Sequence, residues 1–121
     1  MKAIVKHPGQ APQKIDINDG DTLSSLQALV DGLVTTVYVE GFDEAGITVW
    51  ANDEGLLMRL TPNLLIEGQP IVGTVVFTGH NDEGETVGLT RYQMAAVERL
   101  LRASTLNLPT ALWIAAKLAS L

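Results

Sequence analysis

A chain of 121 residues and 13.0 kDa has room for one core and not two, and 46 % apolar against 18 % charged residues exclude a disordered chain. The absence of cysteine excludes disulfides, thiolate zinc sites, iron–sulfur clusters and thiol nucleophiles together. The formal charge of −6 divides unevenly: over residues 1–90 Lys2, Lys6, Lys14 and Arg59 face thirteen carboxylates, a net −9, whereas residues 91–121 carry Arg91, Arg99, Arg102 and Lys117 against Glu98, a net +3. An acidic body repels phosphate backbones, so nucleic acid is a disfavoured partner.

Lys2 to Lys6 is a β-branched-rich run stopped by His7-Pro8-Gly9, and Lys14 to Asn18 alternates with period two, so the two predict a hairpin. Asp19-Gly20-Asp21-Thr22 supplies turn and N-cap chemistry ahead of Leu23, Leu26, Leu29 and Val30, whose spacing marks one face of a short helix ending at Gly32. Val34 to Glu40 and Ile47 to Ala51 are rich in strand formers and predict a second antiparallel pair. Leu56 to Leu60 has no clean period. Ile71 to Thr78 is nearly all apolar or β-branched and reads as one central strand covered on both faces, beginning at Pro70.

The last third turns helical. Thr90 and Gln93 fit a capping box, followed by an apolar face of Met94, Val97, Leu100 and Leu101, with Glu98 and Arg102 spaced for an ion pair on the other side. Burying those four side chains is worth roughly 6 to 12 kcal/mol gross and the exposed pair a few tenths, so packing docks the helix. A second helix is expected from Pro109 to the end, apolar nearly all round, with Lys117 its only charge. Thirteen residues rise about 20 Å, short of the roughly 30 Å core of a bilayer, so it cannot span a membrane. Its second apolar face makes Leu108, Leu112, Trp113, Ile114, Leu118 and Leu121 a candidate homo-oligomer interface.

The chemistry-bearing patterns are few. Asn-Asp-Glu-Gly occurs at Asn52 to Gly55 and again at Asn81 to Gly84, each after a strand-like run. Brought together, Asp53, Glu54, Asp82 and Glu83 could hold a hard cation; the simpler reading is turn chemistry, since neither copy has the ligand spacing of a calcium loop. His7 and His80 sit beside loops outside any metal-ligand motif, and no nucleophile elbow, P-loop or dinucleotide fingerprint is present. Trp50 and Trp113 read as core or interface anchors. No cofactor is implied.

Met1 to Val5, Pro8-Gly9 and Pro12, the Leu23 to Gly32 helix, Asn52 to Gly55, and Ile71 to Val75 followed by Leu89-Thr90 and Gln93 stand in an order and spacing that resemble a small family of bacterial and phage proteins. That family is catalogued as a domain of unknown function, number thirty-eight forty-six, and the resemblance covers roughly residues 1 to 101. It implies a compact α+β domain, often carried by phages or mobile elements, and no transferable catalytic residues. Where members continue Leu-Pro-x-Asn-Arg, this chain has Leu60-Thr61-Pro62-Asn63-Leu64, without the arginine that could contact an anionic ligand.

The sequence therefore predicts an α+β domain over residues 1–103, a mostly antiparallel or mixed sheet of about five to six strands packed by one short and two C-terminal helices. Residues 104–121 form an apolar helical extension, part of that domain or an oligomer interface. The expected function is that of a non-enzymatic phage or mobile-element accessory protein, homo-oligomeric, binding a small molecule or a host protein. One version sequesters a nucleotide signal, with Arg91, Arg99 and Arg102 as anchors. The alternatives are an acidic DNA mimic that inhibits a host protein, and a metal-dependent enzyme using the acidic loops with His80. Met1 to Pro8 reaches proline before any long apolar run, so no signal peptide is expected and the location is cytoplasmic, the host cell's if phage-encoded.

Overall fold

The computed structural model describes residues 1–104 and 108–119. Its elements run β1 (Lys2–Lys6), β2 (Gln13–Asp16), α1 (Thr22–Val30), β3 (Val34–Thr36), β4 (Ile47–Asn52), β5 (Pro62–Ile66), β6 (Gln69–Val72), β7 (Val75–His80), β8 (Thr86–Val87), α2 (Arg91–Ser104) and α3 (Leu108–Ala119). An antiparallel six-stranded sheet in the order β2-β1-β7-β4-β3, with β8 also on β7, forms the centre, and β5 and β6 make a separate hairpin. The α+β class, the sheet and the one short and two C-terminal helices agree with the sequence reading.

Because β1 and β7 carry apolar residues at both parities, both of their faces are buried. On the first face Ile4, Ile47, Val49, Val75 and Phe77 pack under Leu64, Ile66 and Ile71 of the hairpin and Val97 and Leu101 of α2. On the second, Ala3, Val5 and Val76 pack under Leu26 and Val30 of α1.

Local chemistry explains the helix ends. The cap before α1 is Asn18, whose Oδ1 accepts from Gly20 N at 2.9 Å to close a 3-10 turn at Asp19–Asp21; Asp21 makes no side-chain cap bond. At the other end Asp31, not Gly32, takes the left-handed turn (φ 62°), a conformation that a short polar side chain tolerates. Gly32 is needed for a close approach instead, since a Cβ there would stand 2.8 Å from Asn52 Nδ2. The capping box of α2 forms as expected, Gln93 N donating to Thr90 Oγ1 at 3.2 Å and Thr90 N to Gln93 Oε1 at 2.9 Å. Glu98 meets Lys14 Nζ at 3.7 Å across to β2, in place of the expected Arg102.

Two strand readings change. Only Val34–Thr36 of the run to Glu40 pairs as a strand, with one further bond from Val37 N to Val49 O at 2.9 Å. The run from Ile71 to Thr78 is two strands in two sheets, because Gly73 adopts φ 76° and turns the chain between β6 and β7. A side chain there would be strained and would place its Cβ 2.7 Å from Leu60 Cδ1.

What holds the hairpin to the sheet is a polar clasp. Lys6, at the end of β1, is 1 % exposed, and its Nζ donates to Asn63 Oδ1 at 3.0 Å and to His7 O at 2.9 Å. Pairing of β5 with β6 shifts register between Pro62 and Leu64, and the bulge so formed aims Asn63 inward. Its Nδ2 then donates to Lys6 O at 2.7 Å and to Gly73 O at 2.8 Å, joining β1, β5 and the turn into β7.

Burial holds the Lys6 ammonium below the ordinary lysine value of 10.5. Between that lowered value and 10.5 the unfolded chain binds more protons than the folded one, so stability rises with pH across this alkaline window. In urea melts the wild type is therefore expected to gain on Lys6→Met as the pH climbs through the window. A difference that stays constant with pH would contradict this.

Candidate functional site

The second sheet face is only half covered. Nine residues of α1 rise about 13 Å, while five strands at about 4.8 Å spacing spread over about 19 Å, so this helix cannot roof the sheet. It is pinned at one end: Asn52 Nδ2 donates to Val30 O at 3.0 Å and Asp31 O at 3.2 Å, fixing the end of α1 over the end of β4. The far half stays open.

Register decides what lines that open half. Thr36 opposes Trp50, Thr48 opposes Thr78, and His80 opposes Thr86, so hydroxyls, an indole and an imidazole share one face. The segment leaving β3 adds Tyr38 and Asp43 as walls. Past the end of β3 the groove wraps the edge of β4, where Phe42, Val39, Ile47 and Val49 of the first-face core also line it, and it holds about 510 Å³, within the usual range for a small-molecule site.

Its floor is fixed by hydrogen bonds. Trp50 Nε1 donates to Thr78 Oγ1 at 2.8 Å, which locks the indole plane. His80 Nε2 lies 3.2 Å from Asp43 O and 3.3 Å from Asp43 Oδ1, two acceptors, so this nitrogen carries the proton; in the neutral ring Nδ1 then accepts from Thr48 Oγ1 at 2.8 Å. Both imidazole nitrogens are thus engaged by the protein. The wall is held from behind by α2, where capping Gln93 also donates through Nε2 to Ala45 O at 2.8 Å and Gly46 O at 3.2 Å. Such a surface can stack a ring and hydrogen-bond its edge.

The residues singled out from sequence lie elsewhere. Asp53 and Glu54 follow β4, Asp82 and Glu83 follow β7, and these strands are antiparallel neighbours, so the pairs emerge at opposite ends of the sheet, about 17 Å apart or more. Among the described residues no group of three or more His, Asp or Glu is placed to hold a metal ion. The Asn-Asp-Glu-Gly echo is shared turn chemistry: Asn52 Oδ1 accepts from Glu54 N at 2.7 Å, and Asn81 Oδ1 from Glu83 N at 3.1 Å and Glu85 N at 2.9 Å.

Arg91, Arg99 and Arg102 are exposed on α2, which packs on the first face of the sheet, with Arg91 5.7 Å over the Tyr92 ring, and none of the three lines the groove. On α3, Ile114 is buried within the chain, correcting its place at an interface, because α3 lies against β5. Leu118 lines a crevice with Leu60 and Pro62. Leu112 and Trp113 are each 62 % exposed. The side chain of Leu108, and Leu121 altogether, fall outside the described residues.

A family model described as a domain of unknown function, DUF3846, matches residues 1–102. The chain belongs to that family. No curated protein and no solved structure matches it. Clasp and groove both lie inside the DUF3846 span, whereas α3 lies beyond it. No helix among the described residues is long and apolar enough to cross a membrane.

The groove residues Thr36, Tyr38, Thr48 and Thr86, and the buried Thr78 behind Trp50, carry no sequence motif, and Trp50 reads from sequence only as an anchor. The available signal was the alternation Ile47-Thr48-Val49-Trp50-Ala51, which marks a strand buried on one face. Thr78→Val should cost about 1 kcal/mol by leaving the Trp50 indole N–H without its acceptor. Urea melts and the Trp50 emission of this variant on a Trp113→Phe background would check both effects.

Proposed function

We propose that this DUF3846 chain is a non-enzymatic binding module that holds a small molecule on the open half of its sheet. The observation that carries the reading is the lining of the groove: Tyr38, Phe42 and Trp50 together with threonine hydroxyls, with no residue of the described helices among them. Binding is favoured over catalysis because both nitrogens of His80 are engaged and the acidic loops stand apart. The nucleotide version loses support, since Arg91, Arg99 and Arg102 sit on α2 and none of the three lines the groove. Following the family resemblance, we read the module as an accessory protein of a phage or mobile element.

A second reading concerns self-association. Leu112 and Trp113 leave an apolar strip of α3 in solvent, which favours a second copy of this chain as its cover. Native mass spectrometry of protein purified gently from its host addresses both readings. The wild type should carry a non-covalent small-molecule mass that Trp50→Leu lacks, and its subunit count reads the association. A bare wild-type chain, or the same added mass on both proteins, would overturn the groove reading.

A further inference from the structure

Resting on the groove as the binding site, we propose that its ligand is an organic cation, an amine or quaternary ammonium held against the aromatic walls with its positive charge toward Asp43. Tyr38, Phe42 and Trp50 are half of the chain's six aromatic residues, and all three line this one groove. None of the lysines or arginines lines it, while Asp43 does. The net charge of −9 over residues 1–90 draws cations toward the molecule and repels phosphates and carboxylates.

The division of labour follows from exposure. Asp43 is 83 % exposed and its Oδ1 already leans on His80, so its ion pair with a ligand is screened and is worth no more than about five-fold in affinity. A cation over a desolvated ring gains about five- to thirty-fold, so the rings supply most of the preference and the carboxylate steers. Trp50 suits this role. Its N–H is spent on Thr78 and part of the ring packs on the second-face core, so what the indole offers the groove is ring surface and not a donor. Tyr38, 74 % exposed beside the groove, has room to close over a bound group.

The test uses the Trp113→Phe protein, in which Trp50 is the sole tryptophan reporter. Its fluorescence is titrated with choline and with 3,3-dimethylbutan-1-ol, which has the same shape and no charge. Choline is expected to bind about ten-fold tighter. Tyr38→Ala should erase most of that preference, while Asp43→Asn should lower it only a few-fold and weaken its dependence on salt; both sites are exposed, so both variants should fold. Equal affinity for the two probes would overturn the cation and leave the groove as a site for neutral molecules. No response to either probe would also overturn the cation; a Trp50-dependent mass in the native spectrum would then keep the groove reading, and a bare chain would end it too.

Discussion

A lysine ammonium sealed from water, with no carboxylate of the described residues paired to it, is the constraint around which this domain is arranged. Among the described residues Lys6 is held by two neutral oxygens, those of Asn63 and His7, and a charge in such a place is tolerated only while its partners stay in position. The partners come from distant parts of the chain. Asn63 reaches Lys6 from a bulge in β5 and simultaneously ties down the Gly73 carbonyl, where the chain turns from the hairpin into the central strand. The clasp therefore ties the hairpin and the turn into β7 to the end of β1, while apolar packing of Val97 and Leu101 sets α2 on the same face.

The groove is the other side of that arrangement. With the hairpin and α2 committed to one face, the opposite face has only the short α1, and Asn52 holds that helix at one end. Had the uncovered strands carried apolar residues, an exposed hydrophobic patch would have resulted. They carry threonines, an indole and an imidazole, with Thr48 bonded to His80 and Trp50 to Thr78, so the face is prepared for water and for a ligand's polar edge alike. The same Gln93 that caps α2 steadies the wall.

Much of this was legible in the sequence where the signal is local. The first hairpin, the capping box of Thr90 and Gln93, and the buried side of α2 follow from spacing within ten or so residues; of the face read for α1, Leu26, Leu29 and Val30 pack on the sheet while Leu23 at its first turn is exposed. The failures are of two kinds. A run as apolar as Ile71 to Thr78 looks the same whether it fills one sheet or two, and only the contact between Gly73 and Leu60 distinguishes them. The site was out of reach because it depends on register: Thr36, Thr48 and Thr86 are ordinary singly and become a surface only when β3, β4, β7 and β8 align them. The conspicuous residues misled for the same reason. Paired Asn-Asp-Glu-Gly loops look like one site until antiparallel pairing carries them to opposite ends, and arginines at helical spacing look like anchors until α2 turns out to lie behind the groove.

Chemical-shift mapping of the full chain by two-dimensional NMR, with choline added stepwise, tests the central claim most directly. Perturbations should gather on Thr36, Thr48, His80, Thr86 and the Trp50 indole N–H, with α2 and α3 silent. Shifts concentrated instead along Arg91, Arg99 and Arg102, or around Trp113, would show that the open sheet face is not where this protein binds.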